Sequence, residues 1–396
     1  MRRTTWLDRW GGVLPLLLAE FVVWVGFGGL LPVLPLYFTE QGIDLATLGV
    51  VIAAWPAARL VSEPVFGWLA DRTARVPLMV VGLVVTGLAG ALPLVWTGAG
   101  AFIILRAASG LGAAQMGGLL LGPSIGAFGA SQFGGIGFVF VFSAVTSVIA
   151  AVGIAVRVRE EVYERHAHPT PSPDRTEFPP DAPYLEERWA RDLAADQETA
   201  IGSTRPGPSR LLNRGLVAAL VLNMGGYFGS GTYEVIWSLF LERLGADLAL
   251  IGLTFAMFGL PVLLISPFAG RIVDRRGPFA FIILGTVLPA VTGIVYTFLV
   301  DPVLAVPLIL VEATGFALLN PALYAVVAAN SPPGRSSTAQ GIYGAAGTFG
   351  FIVASLLTGV LAAVDIRYPF YLFSAVMVAS LVVGIAIGGD RLRPRV

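Results

Sequence analysis

Long apolar segments, separated by short polar ones, make up most of this 396-residue chain. Each of them reaches roughly 20 residues or more, the length that an α-helix needs to cross ~30 Å of hydrocarbon. A segment that crosses a bilayer must satisfy its own backbone hydrogen bonds, so we predict that all of them are helices. They lie near residues 14–38, 45–69, 77–97, 99–130, 136–156, 215–241, 248–270, 279–300, 302–329, 339–364 and 368–389.

The composition agrees with a membrane protein and excludes several other classes. Hydrophobic residues make up 56% of the chain and charged residues 13%, which would leave a water-soluble domain with too little polar surface. Strands of a β-barrel alternate in polarity over about ten residues, whereas these segments are continuously apolar. The chain has no cysteine, and its two histidines, His166 and His168, lack the i, i+4 spacing of helical metal ligands. No metal or other cofactor is therefore expected.

The distribution of arginine, which supplies every basic side chain apart from the two histidines, predicts the orientation. With the amino terminus inside, Arg59 and Arg106 fall within spans and Arg243 and Arg367 fall outside, so 25 − 4 = 21 arginines are cytoplasmic. This asymmetry satisfies the positive-inside rule. We expect a multi-pass protein of a prokaryotic plasma membrane with both termini in the cytoplasm.

A polar stretch divides the chain into two halves. Residues 157–213 are rich in Pro, Asp, Glu and Arg and cannot bury a core of their own. We predict that they form a largely disordered cytoplasmic linker. The linker would join an N-terminal helical bundle, residues 1–156, to a C-terminal six-helix bundle, residues 214–396.

Each half carries one copy of a short motif between two apolar segments. The first copy reads Gly-Trp-Leu-Ala-Asp-Arg-Thr-Ala-Arg, and the second reads Gly-Arg-Ile-Val-Asp-Arg-Arg-Gly. Repetition of the motif in both halves predicts a duplicated membrane protein. Its candidate functional residues are Gly67, Asp71, Arg72 and Arg75 in the first copy and Gly270, Asp274 and Arg275 in the second.

With this repeated motif, the chain resembles the major facilitator superfamily over nearly its whole length. The resemblance implies two pseudo-symmetric helical bundles with nominally twelve helices. It also implies that Asp71 and its neighbouring arginines form a cytoplasmic charge relay, which latches the halves in the outward-facing state. The first copy departs from the family pattern at Ala74 and Val76. The structural alternative is that Asp71 and Asp274 cap a tight turn and the arginines only set the topology.

Two further motifs resemble those of the fourth and fifth helices of the superfamily, and the second is typical of its drug:proton antiporter branch. In the first, Arg106 occupies an apolar segment, where an arginine costs on the order of 2.5 to 3.5 kcal/mol to insert. The resemblance implies that Arg106 serves proton transfer or substrate binding. A helix with the antiporter-type motif can pack tightly and bend. The alternative explanation of this motif is generic packing of small residues. The motif consists of Gly118, Gly122, Pro123 and Gly126.

Carboxylates within the apolar segments complete the expected coupling site. Glu20, Glu234 and Glu312 fall on the first, seventh and tenth helices, and Arg106 falls on the fourth. In the superfamily these four helices line the central cavity. Burial disfavours the charged form of a carboxyl group, so such a residue can load and release a proton near neutral pH. For Glu20 and Glu234, which lie near the ends of their segments, an interfacial position is the alternative.

Aromatic and amide side chains of the spans are predicted to contact a fairly apolar substrate. Ordinary packing or an aromatic belt at the membrane interface is the alternative for each of them. These residues are Trp24, Asn223, Tyr227, Trp237, Asn320 and Tyr324.

Together these patterns predict a secondary active transporter. It would export small hydrophobic compounds in exchange for protons, through rocking of the two bundles about a site near the membrane midplane. The sequence has no phosphate loop, catalytic triad or nucleotide-binding fingerprint, so neither an enzyme nor an ATP-driven pump is expected. The expected partners are a small-molecule substrate, protons and the bilayer, without nucleic acid, and the expected state is a monomer. The alternatives are an importer or facilitator of a polar metabolite and a transport-incompetent relative that acts as a sensor or scaffold.

The two halves differ in length at one place. Gly110 and Phe142 are separated by 142 − 110 = 32 residues, whereas the matching Gly315 and Phe373 are separated by 373 − 315 = 58. The first half is therefore 58 − 32 = 26 residues shorter. The apolar segment that contains Gly110 is too long for one crossing and too short for two. We predict a re-entrant hairpin that turns near Gln115–Gly118, which is tolerated where it is buried in protein or lines a water-filled cavity.

Overall fold

The computed structural model describes residues 14–70, 75–112, 136–157, 210–332 and 335–393. These ranges hold helices and connecting turns without a β-strand, which confirms the predicted all-α fold. The α-helices are α1 (Leu14–Leu30), α2 (Leu34–Glu40), α3 (Leu45–Ala70), α4 (Arg75–Ala91), α5 (Ala99–Gly112), α6 (Ile136–Arg157), α7 (Arg214–Arg243), α8 (Leu248–Arg276), α9 (Phe279–Tyr296), α10 (Ala305–Asn330), α11 (Ser336–Val364) and α12 (Tyr368–Gly388).

The helices follow the predicted apolar segments, with one difference in the first of them. The segment predicted over 14–38 is divided into α1 and α2 by a turn at residues 31–33. Pro32 lacks the N–H group that would continue the hydrogen-bond ladder of α1, and Pro35 suits the first turn of α2 for the same reason. Within the described ranges, eight helices are long and apolar enough to cross a membrane.

Polar residues in the loops determine where several helices begin and end. The side-chain oxygen of Asn213 accepts a hydrogen bond from the Leu216 N–H group at the start of α7, and Asp247 does the same for Leu250 in α8. These caps satisfy backbone donors that have no partner within the first turn of a helix. The end of α8 is formed by Gly277, whose φ of 83° is rarely adopted by residues with a side chain.

The two halves of the chain repeat one pattern of helix contacts. α6 packs against α1 and α4 as α12 packs against α7 and α9, and α5 packs against α3 and α4 as α10 packs against α8 and α9. The match of α6 with α12 agrees with the Phe-Ser-Ala-Val sequence that residues 142–145 and 373–376 share. By its order in the chain, the counterpart of α11 would fall within residues 113–135, outside the described ranges.

The end of the molecule at which α6 ends and α7 begins is called the linker end, and the opposite end is called the far end. α5 and α6 both begin at the far end. The Phe102 ring of α5 lies 4.5 Å from that of Phe38, and the Phe140 ring of α6 lies 4.7 Å from that of Tyr37, both centroid to centroid. The two helices therefore begin at the same end of the molecule. The hairpin turn near Gln115–Gly118 lies outside the described residues and stays a prediction.

The two halves are packed together at the far end. One buried apolar cluster contains residues of α2, α3, α5 and α6 together with the far-end parts of α7, α11 and α12. The other two clusters lie toward the linker end, and each belongs to a single half. The described part of the chain is therefore closed at the far end, whereas at the linker end each half packs on its own.

α3 and α11 make the most extensive contact between the halves. At Gly359 of α11, an added Cβ atom would lie 2.5 Å from the Leu45 carbonyl oxygen and 2.9 Å from the Gly49 Cα atom. These distances are too short for any side chain, so glycine is what allows the two backbones to approach so closely. The closed far end depends on this contact.

Replacing Gly359 by valine should open the far end, because the valine side chain has no space between the two helices. Overpacking costs about 1–3 kcal/mol, which corresponds to a change of about 5-fold to 150-fold in the ratio of closed to open states. The native chain has no cysteine, so a single cysteine at Ser230, which lines a cavity near the far end, can report the change. We expect faster labelling by an impermeant thiol reagent added on the far-end side.

Gly153→Val is the matched control, since a Cβ atom at Gly153 would meet nothing within 4 Å. It should leave the labelling rate unchanged. Equal labelling rates in the Gly359 and Gly153 variants would rule out the glycine contact as the far-end seal.

Candidate functional site

A buried ion pair joins the two halves near the far end. Arg106, the eighth residue of α5, donates from Nη2 to Oε1 of Glu234 in α7 across 2.6 Å. The two side chains are 7% and 10% exposed. If either side chain were removed, the other would remain as an uncompensated charge in a medium of low dielectric constant. Each buried charge is therefore stabilised by its partner.

Glu312 lies close to this pair, but its hydrogen-bond partner is neutral. It is the eighth residue of α10, the position that Arg106 has in the matching helix α5. Its Oε2 atom accepts a hydrogen bond of 2.8 Å from the hydroxyl group of Tyr296, the last residue of α9. The hydroxyl group of Tyr233 in α7 also lies near this carboxylate, but it makes no hydrogen bond to it. Glu312 and Tyr296 are both buried.

A cavity of about 150 Å³ lies between these groups. Its polar lining comes from Ser230, Tyr233, Glu234 and Glu312. Among the described residues, the Tyr233 hydroxyl and Glu312 Oε1 have no hydrogen-bond partner. The rest of the wall is apolar and consists of Leu31, Trp237, Phe255, Phe258, Ile309, Phe316 and Phe351. A carboxylate in such an apolar wall becomes neutral when it gains a proton. Because the surroundings have a low dielectric constant, this change strongly alters its electrostatic interactions with neighbouring groups.

The structure brings together three of the four residues predicted for proton coupling. Arg106 and Glu234 are in direct contact, and Glu234 and Glu312 line the same cavity. Glu234 is buried in the protein and paired with Arg106. Glu20 lies in α1, but its side chain is outside the described part of the chain. The coupling role of all four stays a prediction.

Two of the predicted substrate contacts take part in packing within the second half. The Nε1 atom of Trp237 donates to Thr254 Oγ1 across 2.8 Å, and Asn223 Nδ2 donates to the Tyr343 carbonyl oxygen across 2.8 Å. These bonds fit the packing alternative, and Asn223 is 2% exposed. Trp237 also lines the cavity, so a substrate contact for it stays a prediction.

Other predicted substrate contacts lie away from the ion pair, toward the linker end. Tyr227 and Tyr324 are 39% and 45% exposed. The Tyr324 ring lies 5.5 Å from that of Tyr343 between centroids. Asn320 is partly buried on the same helix as Tyr324, and Trp24 lies in α1 with its side chain outside the described part. The structure thus divides the predicted contacts between two regions.

The structure describes the second copy of the repeated loop motif. Gly270, Asp274 and Arg275 belong to the last turns of α8, where the side chains of Asp274 and Arg275 are exposed at the linker end. The N–H group of Gly277 donates to the Val273 carbonyl oxygen across 2.8 Å. Among the described contacts, the cap of this turn is therefore Gly277, and Asp274 has no hydrogen bond.

Several predicted residues lie outside the described part of the chain. In the first loop copy, Asp71 and Arg72 are outside it, while Gly67 and Arg75 belong to α3 and α4 without described side chains. The roles predicted for them stay predictions. The same holds for the antiporter-type motif, Gly118, Gly122, Pro123 and Gly126.

The sequence gives no signal for Tyr296 as part of the site. An aromatic residue at the end of an apolar segment is typical of an interfacial belt. Tyr296 and Glu312 are 16 residues apart on different helices, so no helical periodicity connects them. Their contact follows from the packing of α9 against α10.

Known proteins resemble this chain in sequence and in structure. The family model described as Major Facilitator Superfamily matches residues 16–117 and 219–395. Multidrug resistance protein 2 of Bacillus subtilis (strain 168) is 24% identical over 396 aligned positions, which cover 91% of each chain. Quinolone resistance protein NorA of Staphylococcus aureus is 26% identical over 166 positions, which cover 41% of this chain and 42% of NorA. The crystal structure of a D-xylose-proton symporter has a TM-score of 0.66 at 15% identity, covers 95% of this chain and 98% of its own, and shows likeness of fold alone.

Removing one member of the ion pair should destabilise the protein more than removing both. Arg106→Leu leaves the Glu234 carboxylate buried without its cation, which costs about 3–5 kcal/mol. Adding Glu234→Leu replaces the pair by apolar side chains and should recover most of that loss. Thermal unfolding in detergent measures the difference as a lowered Tm in the single variant and a Tm near the native value in the double variant.

The exposed neighbours Glu242 and Arg243 provide the control. Their replacement by glutamine, singly or together, should change the Tm little, because exposed charges contribute little to stability. A double leucine variant as unstable as the Arg106→Leu variant would show that the ion pair is not what the single substitution disrupts.

Proposed function

Since the chain belongs to the Major Facilitator Superfamily, we propose that it is a secondary active transporter that exports small hydrophobic compounds in exchange for protons. The observation that carries this proposal is the cluster of Arg106, Glu234 and Glu312, buried between the two halves in an otherwise apolar surrounding. Ionisable groups are expensive inside a membrane, and they mark ion pathways and proton relays in membrane proteins. Both bacterial relatives are named for resistance, one to multiple drugs and one to quinolones, which supports export.

Protonation would act on the far end through the ion pair. A proton on Glu234 removes the negative charge that holds Arg106, so the attraction between the halves falls. A proton can shift a conformational equilibrium only if it binds the two states differently. The pair can form only when the two halves are in contact at the far end. Glu234 therefore binds a proton less tightly in the state with a closed far end than in a state with an open far end. Proton binding is thereby linked to opening.

The linker end is where we propose that substrate enters. The positive-inside rule assigns this end to the cytoplasm. Tyr227 and Tyr324 are partly exposed and lie nearer this end of their helices than Glu234 and Glu312 do, and their rings offer apolar faces to a hydrophobic compound. The apolar wall of the cavity near Glu312 supports hydrophobic compounds over a polar metabolite. The described arginines at this end are Arg75, Arg157, Arg210, Arg214, Arg271, Arg275, Arg276, Arg335, Arg391 and Arg393, against Arg243 and Arg367 at the far end.

Transport would proceed by rocking of two bundles, residues 1–156 and 214–396, which residues 157–213 connect. The described state is closed at the far end and packed separately at the linker end. The latch proposed for Asp71 and Asp274 belongs to the opposite state, in which the linker ends of the two bundles meet. Exposure of Asp274 in the present state agrees with that assignment.

The difference in length between the halves favours a second candidate function. The first half is 58 − 32 = 26 residues shorter between its matched glycine and phenylalanine positions. A first bundle that is too short at its linker end would fail to close against the second bundle, and alternating access requires that closure. Such a protein would bind compounds and act as a sensor or scaffold without transporting them.

Transport of a hydrophobic fluorescent dye by the purified protein in proteoliposomes tests both candidates. An imposed proton gradient should drive dye movement against its own gradient. Glu234→Gln and Glu312→Gln should lower this movement by about 5-fold to 150-fold, the range of typical coupling energies, while dye binding is retained. The exposed Glu242→Gln variant is the control and should transport normally.

Dye binding without gradient-driven movement in the unmodified protein would favour the sensor or scaffold. Full transport in both glutamine variants would exclude Glu234 and Glu312 from proton coupling.

A further inference from the structure

Tyr296 holds the Glu312 carboxylate from a rigid position. Its hydroxyl donates to Glu312 Oε2 across 2.8 Å, and its side chain has no exposed surface. The centroid of its ring lies 4.9 Å from that of Trp237, 5.8 Å from that of Phe370 and 6.2 Å from that of Tyr233. A ring packed closely among other rings has little freedom to turn away. The hydroxyl therefore has a fixed place beside the carboxylate.

We propose that Tyr296 is a positioning residue for proton coupling, which orients Glu312 and sets the pH range in which this carboxyl group exchanges its proton. The proposal rests on the proposed proton-coupled function. It assigns different tasks to the two carboxylates of the site. Glu234 locks the halves through Arg106 until Glu234 is protonated, whereas Glu312 carries the proton that is exchanged for substrate.

The hydrogen bond distinguishes the two oxygen atoms of Glu312. Oε2 is engaged by Tyr296, whereas Oε1 has no hydrogen-bond partner among the described residues. Glu312 also lines the cavity of about 150 Å³. Oε1 is thus the atom on which a proton can be gained and lost while the bond to Tyr296 keeps the side chain in place.

The ionisable groups that face Glu312 from neighbouring helices are few. α9 contributes Tyr296, and α7 contributes Tyr233 and Glu234. Arg106 of α5 is engaged by Glu234. In the described part of the chain, Glu312 is therefore held by a neutral hydroxyl and not by a cation. From α8 and α11, the same cavity receives the apolar rings of Phe255, Phe258 and Phe351.

Removing the Tyr296 hydroxyl should move proton exchange to higher pH. A hydrogen bond donated to a carboxylate stabilises its charged form. Without that bond the protonated form of Glu312 is favoured, so a higher pH is needed to remove the proton. Loss of one hydrogen bond to a charged group corresponds to a shift of about one to two pH units. We expect the midpoint of the transport pH profile to rise by about that amount in Tyr296→Phe.

The test compares the unmodified protein, Tyr296→Phe and Tyr37→Phe in proteoliposomes over a pH series. Tyr37→Phe is the matched control, because the buried Tyr37 hydroxyl also makes a 2.8 Å hydrogen bond, but to the carbonyl oxygen of Pro93. Its midpoint should not move. A second readout is the infrared band of the protonated Glu312 carboxyl group, identified by its absence in Glu312→Gln. This band can be titrated in the purified protein whether or not transport survives the substitution.

The proposal is supported if the midpoint pH of the transport profile and the midpoint pH of the infrared titration both rise in Tyr296→Phe alone. Adding Tyr296→Phe to Glu312→Gln should then cause no further change in the transport profile. If Glu312→Gln keeps the native pH profile, the proton site of the proposed function is wrong. If Glu312→Gln removes the pH dependence but Tyr296→Phe leaves both readouts unchanged, the role of Tyr296 alone is refuted. An equal shift in Tyr37→Phe also refutes it, since the effect would then come from packing.

Discussion

A charge inside an apolar interior has to be neutralised where it lies, and the contact between the halves is organised around this requirement. Arg106 and Glu234 come from different halves, and each would be costly to bury alone. The apolar cluster around the far end also joins the halves, but the hydrophobic effect does not depend on protons. In the proposed function, the ion pair is therefore the part of the interface through which the proton concentration would act on the conformation.

The duplicated architecture places unlike residues at matching positions. Arg106 and Glu312 are each the eighth residue of corresponding helices, α5 and α10, and their partners differ in kind. A carboxylate that is paired with a cation loses most of that attraction when it is protonated, as Glu234 would. A carboxylate that is bonded to a hydroxyl group, as Glu312 is to Tyr296, can keep a hydrogen bond in both forms, because a hydroxyl both donates and accepts. The first arrangement suits a lock between halves, and the second suits a proton carrier.

Most of the fold could be predicted from the sequence, because the bilayer acts on each span separately. The break at Pro32 departs from that prediction, since a proline can end a helix without interrupting an apolar run. Arg106, Glu234 and Glu312 could be found as costly residues in apolar segments, but their partners could not. The ion pair joins residues 128 positions apart, and a single sequence carries no record of such contacts. For the same reason Asn223 is predicted as a substrate contact, although its amide group bonds to a backbone carbonyl.

α11 shows how one helix face can serve both ends of the molecule. Gly341 and Gly359 are 359 − 341 = 18 residues apart, which is five helical turns, so they share a face. At the far end this face touches the backbone of α3, whereas at the linker end a Cβ atom added at Gly341 would meet no described residue within 4 Å. Rocking of the bundles would separate the far-end contact and bring the linker-end part of the same face toward the first half. The partner at the linker end would have to come from the first half, where the chain is 58 − 32 = 26 residues shorter. Closure of the linker end is therefore the step of the cycle that the shortened segment constrains most.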